Sequence, residues 1–140
     1  MIEKFKLDNL DEIMNIWLES NISAHSFIPS CYWEKMYDKV RTLIPKSDVY
    51  VYQNNNKILG FIGLTGDYIS GIFVAEASRS SGIGKILIEH AKKSRDKLQL
   101  NVYEKNIKAV KFYERENFKV KSEALDEDTG EKDFFMEWKK

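Results

Sequence analysis

Apolar and charged residues alternate over Ile2–Leu7, the period of a half-buried strand. Asp8 follows as a helix cap, because a short side-chain oxygen there can accept an orphan backbone N–H. Leu10, Ile13, Met14, Trp17 and Leu18 recur at spacings of three and four and predict an amphipathic first helix. Asn21–Ser30 has no period and reads as irregular, with Pro29 closing it. A second helix is predicted over Ser30–Leu43, with Trp33, Met36, Tyr37 and Val40 on one stripe and Pro45 ending it. The pattern then turns to strands. Asp48–Gln53 and Lys57–Leu64 flank Asn54-Asn55-Asn56, a hairpin turn because asparagine tolerates positive φ. Tyr68–Val74 is a further strand, Ile83–Lys93 a helix, Leu98–Tyr103 a buried strand and Asn106–Asn117 a helix. Phe118–Ala124 and Lys132–Trp138 form a last strand pair around the acidic turn Asp126–Gly130. The order β-α-α-β-β-β-α-β-α-β-β predicts a single α/β domain over residues 1–140. Its natural packing is a mixed central sheet of about seven strands with helices on both faces.

Composition narrows the function classes. Apolar residues are 43% of the chain, enough for a core and too many for intrinsic disorder. Lys and Arg number 22 against 22 Asp and Glu, so the broad positive field of a non-specific nucleic-acid binder is absent and no nucleic-acid partner is expected. Cys31 is the one cysteine, which excludes a disulfide framework and a multi-cysteine metal site; no metal is expected, and the thiol is assigned to packing. The longest apolar run, around Ile58–Leu64, falls far short of the ~20 residues that cross a bilayer. With no apolar signal core at Met1–Phe5, the expectation is a cytoplasmic protein without a membrane partner.

The informative stretch is Arg79-Ser80-Ser81-Gly82-Ile83-Gly84-Lys85, between a strand and a helix. A helix start supplies unpaired backbone N–H groups and a positive dipole end, and glycines let a phosphorylated ligand approach the main chain. A Walker loop needs glycine where Arg79 stands and Ser or Thr where Ile86 stands. A dinucleotide fingerprint needs a third glycine at Leu87. What remains is Arg-x-x-Gly-x-Gly. Downstream, Asn106, Ala109 and Tyr113 share one face of a helix, followed by Asn117-Phe118.

These two segments resemble the motifs of the Gcn5-related N-acetyltransferase (GNAT) family. Arg79–Gly84 is similar to its coenzyme A motif Q/R-x-x-G-x-G/A. Asn106…Ala109…Phe112-Tyr113…Phe118 is similar to its second motif, with Asn117 in place of the usual glycine; asparagine also accepts the left-handed conformation. The resemblance implies the GNAT fold and transfer of an acetyl group from acetyl-CoA to an amine by direct attack in a ternary complex. It implies that backbone groups of Ile72, Phe73 and Val74 meet the pantetheine arm. It implies that Arg79, Ser80, Ser81, Gly82, Ile83, Gly84 and Lys85 hold the pyrophosphate, the two basic side chains adding charge. Asn106 would bond the arm, Ala109 and Phe112 would shape its channel, and Tyr113 would protonate the departing thiolate. Val74 N–H is the candidate oxyanion donor.

The base that takes the ammonium proton is open. The strand position where many relatives carry glutamate falls near Ile69-Ser70, and neither is a carboxylate. Tyr68, Asp67, a water relay and His25 remain. His25 lies where the family builds its acceptor pocket and can titrate near neutral pH, or it is simply a hydrogen-bonded loop histidine. His90 reads as structural. Aromatics near Phe27–Trp33 can line an acceptor site for a cationic amine, and the acidic turn Glu123–Asp128 is a solvated turn or draws that amine in. The acceptor is a small-molecule or protein amine, and the protein a monomer or homodimer. Two other classes compete: a non-catalytic acetyl-CoA-sensing module, against which Tyr113 argues, and a toxin acting on charged tRNA, against which zero net charge argues.

Overall fold

A computed structural model describes residues 1–140. Seven strands form one sheet: β1 (Ile2–Lys4), β2 (Asp48–Asn54), β3 (Lys57–Thr65), β4 (Tyr68–Val74), β5 (Lys97–Tyr103), β6 (Lys119–Leu125) and β7 (Lys132–Lys139). Their order across it is β1-β2-β3-β4-β5-β7-β6. Every neighbouring pair is antiparallel except β4 and β5, which are parallel. Four helices, α1 (Leu10–Ala24), α2 (Ser30–Leu43), α3 (Ile83–Lys93) and α4 (Ile107–Arg115), cover the two faces. Asn55 and Asn56 both take positive φ in the β2–β3 turn, the conformation read from three consecutive asparagines.

Each face has its own core. Ile83, Leu87, Ile88 and Ala91 of α3 pack with Tyr113 of α4 on Ile62, Leu64, Ile69, Leu98 and Leu100. Ile13, Met14 and Trp17 of α1 and Trp33 of α2 pack on Val49, Val51, Ile58 and Phe61. β3 supplies both cores, which is why its sequence is a nearly unbroken apolar run rather than an alternation. A fully buried aliphatic side chain contributes roughly 1.5–3 kcal/mol, so these two layers hold the sheet rigid on either side of the site.

Several boundaries differ from expectation. The first strand ends at Lys4, and Leu7–Asn9 forms a 3-10 turn instead of continuing it. Asp8 lies inside that turn and does not cap; Asn9 does the related work, its Oδ1 accepting Lys6 N–H at 3.0 Å. The segment read as irregular begins later, because α1 continues through Asn21 to Ala24, with the Asn21 amide donating back to the Trp17 carbonyl at 2.9 Å. Cys31 is exposed rather than packed: α2 turns its Trp33 face to the sheet and leaves the second residue of its first turn outward. No helix is long and apolar enough to cross a membrane.

β4 carries the feature that makes a site. Gly63 faces Gly71 and Leu64 faces Ile69, so Ser70 is an extra residue, a β-bulge that bends the strand. β4 pairs with β5 only at Tyr68↔Gln99 and Ile69↔Leu100. Beyond the bulge the two strands diverge, and the ladder on that side of β4 stops.

Candidate active site

The divergence opens a cleft of about 1240 Å³. One wall is Ile72, Phe73 and Val74 of β4, whose backbone lacks a ladder partner on that side. The opposite wall is Asn106, Ala109, Phe112 and Tyr113 of α4, and the floor is the turn from Ser78 to Lys85. The last turn of α1, Ser20 to His25, closes the end. Sequence reasoning placed His25 at a pocket but did not anticipate Ser20, Asn21, Ser23 and Ala24, nor Lys105, Lys108, Arg115 and Glu116; no local pattern marks them, because their placement follows from where α1 and α4 pack. A second depression, lined by Asp67, Ser94, Arg95, Asp96, Lys97, Lys139 and Lys140, has no apolar wall. Asp67 therefore stands apart from the cleft.

The loop before α3 is shaped for anions. Ser80 and Gly82 both take positive φ, 64° and 89°, with Ser81 between them outside that region. Such alternation turns successive backbone N–H groups toward one side, a nest for an anion. Gly82 caps α3, so the first amides of the helix have no intrahelical partner and add their dipole. A Cβ at Gly84 would touch the Phe112 ring at 3.4 Å, ordinary contact at the point where α3 meets α4.

Of the predicted loop residues, all but Ser81 line the cleft; Ser81 instead donates its hydroxyl to the Ser78 carbonyl. The Arg79 side chain turns back to α1. Its Nε donates to the Val74 carbonyl at 3.1 Å, and its Nη2 to Ser20 Oγ at 3.1 Å and to the Glu19 carboxylate. It ties the end of β4, the loop and α1 together. Lys85 sits 3.7 Å from Glu89 and 3.6 Å from the buried Glu116.

Tyr113 is buried between Phe112 and Phe118, ring centroids 5.3 and 5.6 Å away. Burial pushes its phenol pKa well up, with Tyr68 adding to the rise, so the group stays protonated across the physiological range. Tyr68 is half-exposed and does not line the cleft. It donates to Asn101 Oδ1 at 2.8 Å, and burial and the charge of Asp133 raise its pKa.

His25 caps the C-terminus of α1 and is 9% exposed. Its ring stacks on Trp33 at 5.1 Å and meets Phe27 and Tyr103 edge-on at 5.7 and 5.1 Å. Burial lowers its pKa to about 4, opposed by the Asn21 carbonyl, which lies outside hydrogen-bonding geometry and leaves Nδ1 without a partner. Nε2 lies 3.2 Å from Asn106 Nδ2. Asn106 in turn caps α4, its Oδ1 accepting Ala109 N–H at 3.4 Å.

Beyond His25 the β6–β7 hairpin reaches back over the α1–α2 segment. Tyr103 donates to Asp126 at 2.5 Å and Tyr32 to Asp128 at 3.3 Å. Lys105 pairs with Glu131 at 2.9 Å and lies over the Phe27 ring at 5.6 Å.

Known proteins are similar to this chain in sequence and fold. A family model described as an acetyltransferase (GNAT) domain matches residues 45–120. Peptidyl-lysine N-acetyltransferase YiaC of Escherichia coli (strain K12) is 31% identical over 140 residues, 99% of this chain and 96% of that protein. The solution structure of apo-form YjaB from Escherichia coli has a TM-score of 0.88 at 28% identity, covering 99% of this chain and 96% of that one. YjaB of Escherichia coli (strain K12) also carries the name peptidyl-lysine N-acetyltransferase and is 31% identical over 130 residues, 92% of this chain and 88% of that protein. A Bacillus anthracis acetyltransferase solved in complex with acetyl coenzyme A has a TM-score of 0.61 at 25% identity, covering 67% of this chain and 62% of that one.

Proposed function

The chain belongs to the GNAT acetyltransferase family and is an acyltransferase, and from that premise we propose that it acetylates lysine side chains of proteins with acetyl-CoA. The observation that carries this reading is the cleft itself. An unpaired strand edge faces a helix that presents Asn106 and Tyr113, and an anion-shaped turn lies at its floor. Such an edge suits a pantetheine arm, whose amides complete the interrupted ladder. The turn suits a pyrophosphate, held mostly by main-chain N–H groups because Arg79 is committed to α1. Lysine as acceptor is favoured by the names of the two relatives. It is also favoured by Asp126 and Asp128, which the β6–β7 hairpin brings against Tyr103 and Tyr32, beside the aromatic segment that borders the cleft.

In this reading the lysine amine, having given its proton to water, attacks the thioester carbonyl. The C–N bond forms as the C–S bond breaks. Tyr113 donates its proton to the leaving sulfur, and the attacking nitrogen gives up its surplus proton, which returns to the Tyr113 phenolate by way of water, so the products are an amide and free CoA. Val74 N–H stabilises the developing oxyanion. Tyr68 lies outside the cleft, bonded to Asn101, and does not act as the base. Alignment of amine and carbonyl supplies most of the acceleration.

Two measurements test the proposal. Acetyl-CoA should raise the melting temperature and ATP should not. Gly82→Asp should abolish that rise: a Cβ there meets nothing within 4 Å, aspartate tolerates positive φ better than most residues, and its charge opposes the phosphates. Release of CoA should then depend on a lysine peptide and vanish when the ε-amine is blocked. Equal stabilisation by ATP, or turnover on small amines with none on any lysine peptide, would overturn it.

A further inference from the structure

The imidazole of His25 takes no part in the acyl transfer just described, yet it is buried in the wall of the cleft and touches a residue of the coenzyme motif. Asn106 holds α4 by a long cap, 3.4 Å from Oδ1 to Ala109 N, at the weak end of hydrogen-bond geometry. A side-chain amide fixed at one end by so weak a bond can turn about its last torsion and exchange its oxygen for its nitrogen. The other end decides. With Oδ1 toward Ala109, Nδ2 faces His25 Nε2 at 3.2 Å, and an N–H₂ donor there requires a lone pair on Nε2. The remaining ring proton must then sit on Nδ1, the nitrogen that has no partner.

We propose that His25 is a positioning residue for the coenzyme: its Nε2 lone pair locks the Asn106 amide at the start of α4, and with it the helix that carries Tyr113. This rests on the acetyl-CoA reading for the identity of the ligand. Trp33, Phe27 and Tyr103 fix the ring plane, so the lone pair has one direction to point. His25 therefore joins the C-terminus of α1 to the N-terminus of α4 at the end of the cleft that α1 closes. It leaves Asn106 with its carbonyl committed to the helix and its amide orientation set before the pantetheine arm arrives. With the lone pair engaged and the other nitrogen protonated, the ring has no site free to take a proton from an amine.

The test is calorimetric binding of CoA, which needs no acceptor, to wild type, His25→Phe, His25→Gln, Asn106→Ala and the double variant His25→Phe with Asn106→Ala. Phenylalanine keeps the aromatic packing and removes the acceptor; glutamine restores an acceptor at the reach of Nε2. Loss of one hydrogen bond that fixes a ligand-binding group should weaken CoA binding about three- to tenfold in His25→Phe. His25→Gln should recover to within about twofold of wild type. The double variant should bind no more weakly than Asn106→Ala alone, since the effect passes through that amide. Wild-type affinity in His25→Phe, failure of glutamine to rescue, or additive losses would overturn the proposal. Nitrogen NMR of the wild-type ring gives an independent reading that needs no ligand: a protonated Nδ1 and bare Nε2 are expected, and the opposite tautomer overturns the assignment even where a variant fails to fold. Failure of wild type to bind CoA would strike the acetyl-CoA reading, and this proposal with it; binding by wild type with a broken variant pattern strikes the positioning role alone.

Discussion

Acidification should destabilise this protein through His25 in a way a single substitution can remove. The ring is neutral in the folded state because burial lowers its pKa to about 4, against an ordinary value of 6.5 once unfolded. The unfolded chain thus binds a proton that the folded chain refuses. Stability is fully present above pH 6.5, falls as pH drops through the window to about 4, and changes no further below it. The gap corresponds to about 3 kcal/mol when fully developed and to about 2 kcal/mol at pH 5. At roughly 3 °C per kcal/mol for a domain of this size, the melting temperature should fall by about 6 °C from this source between pH 7.5 and pH 5. Carboxylates titrate over the same range, so the assay compares wild type with His25→Phe at each pH. Phe27, Trp33 and Tyr103 surround the ring, and the Tyr103 phenol, its pKa raised by burial and by Asp126, does not titrate in this window. The two proteins should melt close together at pH 7.5, because phenylalanine gives up one hydrogen bond but also removes an unpaired buried N–H. At pH 5 the variant should be the more stable by several degrees. Parallel pH profiles for the two would refute the reasoning and place His25 in contact with solvent.

Tyr113→Phe should leave coenzyme binding nearly unchanged and lower kcat by about 10²-fold, since a thiol leaves partly unaided and general acid catalysis is worth ~10²–10⁴-fold; full kcat at every pH, measured by CoA release, would return Tyr113 to the core. Arg79→Ala should cost about 1 kcal/mol of stability, modest because the ion pair with Glu19 is a third exposed on each side, and should loosen the loop; a melting temperature equal to wild type with sharply weaker CoA binding would show that the guanidinium serves the phosphates directly.

Much of this architecture was legible because local pattern and global packing agree. Ser30–Leu43 came out with both ends right: Pro29 and Pro45 bracket a stripe led by Trp33. The hairpin at Asn54–Asn56 and the helix at Ile83–Lys93 were equally clear, since turn chemistry and period point the same way. What escaped was set by distant contacts. The α1 extension to Ala24 has no period of its own; it persists because Asn21 is buried and bonded to Trp17 and because His25 finds an aromatic box made by α2 and β5. The same tertiary closure determines Arg79. Its motif marks a loop that does line the cleft, yet which way one guanidinium turns depends on Glu19 and Ser20, sixty and fifty-nine residues earlier. The motif residues of the cleft walls were readable because glycines, a capping asparagine and a small alanine are constrained by backbone geometry. The base was not, since no side chain of the cleft has a pattern that distinguishes taking a proton from filling space.

Departures from local rules concentrate where the strands part. Ser80 occupies the left-handed region, a conformation that costs a residue with a Cβ of order 1 kcal/mol or more. Ser70 breaks the register of β4, the β4–β5 ladder stops after two residue pairs, and both His25 Nδ1 and Glu19 Oε1 are buried without partners. The other residues at positive φ, Asn55, Asn56, Gly66, Asn117 and Gly130, lie in turns or helix ends, where they shape the chain's course and line no cleft. A chain can hold several such features only when its surroundings over-determine them, and here two well-packed layers flank the gap. Leu87, Ile88, Leu98 and Leu100 are at most 1% exposed on one side, and Ile13 and Met14 are fully buried on the other. The rigidity of those layers keeps β4 from closing onto β5 beyond the bulge. An unpaired strand edge in water is satisfied by solvent; an unpaired edge inside a cleft is an acceptor and donor set awaiting a ligand with the spacing of a peptide. That requirement, more than any single catalytic side chain, is what the cleft between β4 and α4 offers a ligand.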